Sequence, residues 1–325
     1  MHLPHYIKDC IHQLRIHNPK ESTDIVLILN GHTNYGHAIK LAEMYSIKVA
    51  YIEELPITPH YIEFLTHSQR LLKNEDRQNS TQYMLERHFI WEAYLLKTNL
   101  TNVYLVESDN LMYVPLNVVQ KTESLFSHGI AMPFDSVDRG VPSIVFARDY
   151  LALEDMNCWI IECMKKDMTN DMDIYGLYRK AYPNKIFHYP VLPPNCNKDK
   201  HMRTNKLGQT ALIHDCTFLC DERFPIIFDS FVYGQAISGI DPRNTNAEHS
   251  EGHINETALF SVSESEISWS LADQLWFPMA DHLKIANLHI HSKALSHFLS
   301  DRATMPVADY NSKELLEKIN TDYIY

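Results

Sequence analysis

Two short stretches carry the residue types that metal-assisted chemistry needs. Glu107-Ser108-Asp109 follows directly on the apolar run Asn102-Val-Tyr-Leu-Val106. Two acids at i and i+2 can both face one divalent cation where the chain turns out of a sheet. Oxygen ligands of this kind suit Mg²⁺ or Mn²⁺, which complete their shells with phosphate and water. Far downstream, Asn287-Leu-His289-Ile-His291-Ser-Lys293 places two histidines on one face of an extended segment, with a lysine two residues on. A histidine can supply the ligand that two carboxylates lack, and a lysine can pair with a diphosphate. Each stretch alone also has a plainer explanation. An E-x-D can simply cap a strand, and any one of 19 histidines can be surface decoration.

The elements around these residues decide whether they can meet. Asp24-Ile-Val-Leu-Ile-Leu-Asn30 is a continuous apolar run bounded by polar residues, the pattern of a strand buried on both faces. Residues 36–46 have helical periodicity, and Ile47-Lys-Val-Ala-Tyr-Ile52 is a second apolar run. Strand, helix and strand at this spacing form a βαβ unit and imply a sheet that is parallel in its first half. Residues 81–98 read as a long amphipathic helix and 102–106 as a short buried strand. Further strands are expected at 129–133, 143–147 and 285–291, and helices at 149–166, from Asp171 and from Lys293. The segment from Pro193 to Pro278 reads as rich in turns. This alternation is α/β, and in open α/β sheets ligands bind beyond the carboxyl ends of the strands, where Glu107 and Asp109 fall.

Composition narrows the function classes. The chain has 325 residues, 45% of them apolar and 22% charged, enough for a full core. A net charge of −12 excludes generic nucleic-acid binding, which needs a basic surface to neutralise phosphates. No apolar run reaches the length of a membrane span, and the polar, His-rich start lacks the core of a signal peptide. The six cysteines do not form a secreted framework in a chain of this size, so they read as reduced thiols of a cytoplasmic protein. His214, Cys216 and Cys220 could be half of a zinc motif, but no second cysteine pair completes it. Of only nine glycines, Gly234, Gly239 and Gly252 fall close together, which suggests tight turns or backbone near a ligand.

Taken together, VYLVESDNLMYVPL, FDSFVYGQAISGIDPRN, GHINE and NLHIHSKAL resemble GT-A glycosyltransferases of bacteria and large DNA viruses, those of algal chloroviruses in particular. The resemblance spans most of residues 24–300. It implies one Rossmann-like domain over 1–325, with a mixed, mostly parallel sheet and helices on both faces. Residues 24–110 would be the nucleotide-binding half and 111–300 the acceptor half; a viral protein would work in its host's cytoplasm. The layout is also similar to glycogenin-type transferases. By that likeness Glu107 and Asp109 take the place of a D-x-D, and the first acid departs from the usual Asp. Asp171-Met172-Asp173 stands where a D-Q-D would be, with Met replacing an amide that could bond a sugar hydroxyl. His291 or His289 would complete the metal site, Lys293 would meet the diphosphate, and Arg87 would contact the donor. Asn30, Gly31 and Tyr51 to Glu53 would line base and ribose, while Asp229, Gln235, Asp241 and Arg243 would shape either the acceptor side or a structural turn.

The resemblance implies transfer of a sugar from a nucleotide diphosphate donor, a UDP-sugar by expectation, to a hydroxyl of a glycan or other acceptor, with Mn²⁺ or Mg²⁺. Asp171 is the first candidate for the base that takes the acceptor proton and Asp229 the second. Asp171 is expected at a helix N-terminus, where the dipole would lower its pKa. The same residue types also permit a metal-dependent hydrolase or phosphoesterase. A non-catalytic nucleotide-sugar binder is the third reading.

Overall fold

The computed structural model describes residues 3–31, 35–71, 78–120, 128–193, 226–239, 258 and 265–306. The apolar residues Ile7, Cys10, Ile11 and Leu14 recur at helical spacing and bury one stripe of α1 (Ile7–His17). Ile7 and Ile11 pack with Leu41 and Ile47, whereas Cys10 and Leu14 belong to the main core. The helix therefore joins two packing units. Its Arg15 donates to the carbonyls of Asn18, Thr23, Tyr45 and Ser46. Its Gln13 donates to Met112 O and accepts from Ser300 N.

The expected βαβ unit is present. β1 (Val26–Leu29) and β2 (Lys48–Tyr51) pair in parallel across α2 (Tyr35–Tyr45), with Val26 opposite Lys48. Three helices follow from packing of their apolar faces: α3 (Pro59–Leu71), α4 (Gln78–Thr98) and, later in the chain, α6 (Tyr150–Met164) lie against one another. Between them run β3 (Val103–Val106), β4 (Asn110–Met112), α5 (Leu116–Gln120), β5 (Ile130–Met132), β6 (Phe134–Ser136), β7 (Arg139–Gly140) and β8 (Ile144–Ala147). Then come α7 (Asp171–Ala181), β9 (Ile186–His188), β10 (Ile226–Ile227), α8 (Tyr233–Ser238), β11 (Ile267–Ala272), β12 (Leu275–Ala280), β13 (Leu283–Ile285) and β14 (Asn287–His289). The main sheet has the order β3-β8-β5-β9, and its strand β8 is wholly buried.

The architecture is mixed α/β with several small sheets, and two expectations need correction. The sheets are not mostly parallel: among the described residues only β1–β2, β5–β9 and β10–β13 pair in parallel, and six pairings are antiparallel. The chain passes from β5 to β8 through the short β6–β7 hairpin with no crossover helix, so β8 returns antiparallel. Nor does a helix run from Lys293; that stretch holds one 3-10 turn, Leu295–Phe298. Ser300 gives its N–H to Gln13 and its carbonyl to Trp276 N, so its backbone cannot extend a helix. Part of the turn-rich segment is in fact a hairpin. Asp273 and Gln274, both at positive φ, join β11 to β12 in the two-residue turn that suits strand twist.

Candidate functional site

The two chemistry-bearing stretches meet because β4 and β14 pair antiparallel, with His289 opposite Asn110 and Leu288 opposite Leu111. Beyond that register Ile290 N donates to Asp109 O at 2.9 Å. The Glu107–Asp109 turn is pinned from below. Glu107 N donates to Ser143 O, Asn110 Nδ2 to the same carbonyl, and Asn287 Nδ2 to Asn110 Oδ1. The Cys10 thiol lies 3.5 Å from Asn110 O, and burial pushes its pKa up to about 12, so it is an inert packing group.

One ligand atom each from Glu107, Asp109 and His289 lies within 4.8 Å of the other two. His289 Nε2 is 3.0 Å from Asp109 Oδ2, and its Nδ1 is 3.6 Å from Glu107 Oε2. An imidazole offers one nitrogen to a given ion, so one of these contacts can be a pair of neighbouring ligands and the other orients the ring. His289 Nδ1 is buried without a hydrogen-bond partner, as a nitrogen reserved for an ion would be. The donor set of two carboxylates and one imidazole therefore fits a Mn²⁺- or Mg²⁺-class ion.

Two basic residues close the cluster. Lys293 pairs with Asp109, and Arg87 of α4 bridges Glu107 and Asp171, the latter at 3.1 Å. Burial pushes the pKa of Asp109 up, but His289 and Lys293 outweigh it and hold the carboxyl well below the usual carboxylate range. Three carboxylates against Lys293 and Arg87 leave one net negative charge when His289 is neutral, so a further cation is accommodated.

Asp171 is the first residue of α7, after the N-cap Asn170, whose side chain accepts from Met172 N. Its position is as expected, but the direction of its pKa is not. Burial raises it, and Arg87 and the Met172 N–H offset only part of that cost. At 1% exposure the lost hydration outweighs a helix terminus. Asp173, two residues on, is raised for the same reason, with Arg139 opposing.

Asp229 is held differently. Its carboxylate accepts from the backbone N–H groups of Val232, Tyr233, Gly234 and His289 at 2.8–2.9 Å. Burial pushes its pKa up while His289 and these donors pull it back. All four donors engage its two oxygens, so the carboxylate ties the start of α8 to β14. A Cβ at Gly234 would lie 2.0 Å from His289 O, which shows how closely α8 rests on β14.

His291 is not one of the three clustered residues. Its ring lies 4.8 Å from that of His289 and 5.0 Å from Phe231, which itself sits 4.2 Å from His289. Asn30, Tyr51 and Glu53 gather at the ends of β1 and β2: Asn30 is exposed, Glu53 accepts from Gly31 N at 2.7 Å, and Tyr51 stacks with Tyr35. Gln235 lies in α8, whereas Asp241, Arg243, His214, Cys216, Cys220 and the GHINE stretch lie outside the described residues. The sequence reading missed Tyr175 and His88, both wholly buried and hydrogen-bonded to each other beside Arg87 and Asp171. The signal was available. Tyr175 follows Asp171 by one helical turn, and His88 is the neighbour of Arg87.

Among the described residues no helix is long and apolar enough to cross a membrane, and Cys10, Cys158 and Cys163 are free. No protein-family model matches the chain, and no curated protein matches it. Among solved structures, mouse xyloside xylosyltransferase 1 in its apo form is similar with a TM-score of 0.39 and 10% identity, over 60% of this chain and 83% of that one. An overlap that partial carries no argument about the chemistry of this chain.

Proposed function

We propose that the protein is a divalent-metal-dependent glycosyltransferase that takes a sugar from a nucleotide diphosphate donor, a uridine diphosphate sugar in the first instance, to a hydroxyl of a glycan or other acceptor. The observation that carries this reading is the convergence of Glu107 and Asp109 with His289, 180 residues later in the chain, on ligand atoms within 4.8 Å, with Lys293, Arg87 and Asp171 in the same cluster. A dication held by Glu107, Asp109 and His289 would stabilise negative charge on the departing diphosphate. Lys293 turns from Asp109 to the diphosphate when the nucleotide binds. Arg87 keeps Glu107 and Asp171 in place and prevents their repulsion from opening the site. Asp171 receives the acceptor proton, and its raised pKa makes it a better base than an ordinary aspartate. Asp229 acts as a positioning residue through the backbone of His289. Tyr51 and Tyr35 offer the base a stacking face, and Asn30 and Glu53 lie beside them.

Incubation with a panel of nucleotide sugars and glycan acceptors, with and without Mn²⁺, tests the reading. Metal-dependent release of nucleoside diphosphate with sugar transfer supports it. Phosphomonoester hydrolysis without any transfer would establish the hydrolase reading in its place.

A further inference from the structure

Tyr175 and His88 form a polar pair inside the core, beside the candidate site and without a role in the chemistry above. Asp171 and Tyr175 stand one turn apart on the same face of α7, and His88 follows Arg87 on α4. Both rings are fully buried, with centroids 5.4 Å apart at 72°. The Tyr175 hydroxyl is hydrogen-bonded to His88 Nε2. Each partner is fixed from behind. A Cβ at Gly140 would lie 2.7 Å from Tyr175 Cβ, so β7 closes in on that side chain. On the other side, His88 O accepts from Asn157 Nδ2 of α6 at 3.2 Å.

Two features give the pair a task at the site. The first is its cost. His88 Nδ1 is buried without a hydrogen-bond partner, and burial with the charge of Arg87 keeps the ring neutral. An unsatisfied buried nitrogen destabilises the fold, and an apolar side chain in its place would not. Departures of this kind collect where function needs them. The second feature is Arg87. Burial pushes the Tyr175 pKa up and the charges of Asp171 and Glu107 add to it, while Arg87 offsets part of the rise by its charge and a hydrogen bond. The hydroxyl is therefore a third partner of the guanidinium, besides Glu107 and Asp171. A guanidinium only donates, so the hydroxyl accepts from Arg87 and gives its own hydrogen to His88 Nε2.

We propose that Tyr175 is a positioning residue, aimed by His88, that holds Arg87 on Asp171 while Glu107 serves the metal. The inference rests on the reading of Asp171 as the base. A carboxylate that faces an ion has less charge left for its other partner, so Glu107 alone is a poor anchor for Arg87. The Tyr175 hydroxyl is neutral and does not compete for the ion. It keeps the guanidinium in place, and the guanidinium keeps Asp171 aimed at the acceptor.

Kinetics of Tyr175→Phe, Asp171→Asn and the double variant test this, on the full chain with Mn²⁺ and the nucleotide sugar and acceptor that the wild type uses. Tyr175→Phe is expected to lower kcat by about 10- to 100-fold, with donor KM and Mn²⁺ affinity nearly unchanged. In the Asp171→Asn background the same change should cost nothing further, because its effect runs through Asp171. His88→Gln, which still presents an acceptor, should retain activity that His88→Leu loses. ¹⁵N NMR of the metal-free protein gives a readout without turnover: His88 should carry its hydrogen on Nδ1. That measurement and the His88 pair decide the matter even where Tyr175→Phe does not fold. Wild-type kcat in Tyr175→Phe, equal losses in both backgrounds, or an Nε2–H histidine in the wild type would overturn the proposal alone. A fully active Asp171→Asn would overturn the base assignment beneath it, and a wild type without any transfer the glycosyltransferase reading itself.

Discussion

Asp171 has three neighbours that pull against one another: a low-dielectric surrounding, the Arg87 guanidinium and the Glu107 carboxylate. A raised folded pKa means that ionisation costs the folded state stability. That cost is absent at low pH and grows as pH rises from the ordinary value of 3.8 through the folded one. Asp171→Asn removes it, so this variant is expected to keep or gain Tm while transfer falls by about 10²-fold or more, with nucleotide affinity nearly unchanged. In the wild type transfer should rise with pH as the base ionises. Wild-type turnover in Asp171→Asn, read alongside its melting curve, would remove Asp171 from the mechanism. Lys293 gives a second residue-level expectation. It pairs with Asp109, and in the proposed function it turns to the diphosphate of a bound nucleotide. Lys293→Ala should therefore weaken UDP much more than uridine in calorimetry, and an equal loss for both would contradict its role.

At the scale of elements, the site depends on how α8 and β14 rest on each other. The Asp229 carboxylate spans them, and Gly234 lets them approach. Gly234→Ala would push a methyl group into His289 O, since no backbone atom there can yield without moving the strand. It is expected to cost about 1–3 kcal/mol of stability and to weaken Mn²⁺ binding, measured by denaturant unfolding and metal titration. Unchanged metal affinity in a clearly destabilised variant would detach α8 from the site. Much of this level was legible in the sequence. The apolar runs at 24–30, 47–52 and 102–106 are strands and were found within a residue or two, although most of their residues are half-buried where burial on both faces was expected. The hairpin β11–β12 was missed because Asp-Gln is an uncommon pair for a turn with two positive φ angles. Helix α1 was missed because its histidines and charges mask the Ile7, Cys10, Ile11, Leu14 stripe. The 3-10 turn at Leu295 was read as a helix because the bonds that stop it come from Gln13 and Trp276, far away in sequence.

For the whole molecule, the E-x-D and H-x-H motifs showed their chemistry in the sequence, but their meeting did not. It required the β4–β14 pairing, a contact between segments some 180 residues apart that leaves no local pattern. Which histidine enters the cluster followed from the register that sets His289, and not His291, beside Asn110. Burial could not be read either, so the pKa of Asp171 was expected on the wrong side of 3.8. The central claim is that one ion and one diphosphate share this cluster, and it predicts linkage between their affinities. Calorimetric titration with UDP, GDP and UMP, with and without Mn²⁺, measures that linkage. UDP should bind tightly only with Mn²⁺, and UMP should gain far less from the metal. Equal affinity for all three nucleotides without metal would contradict the account.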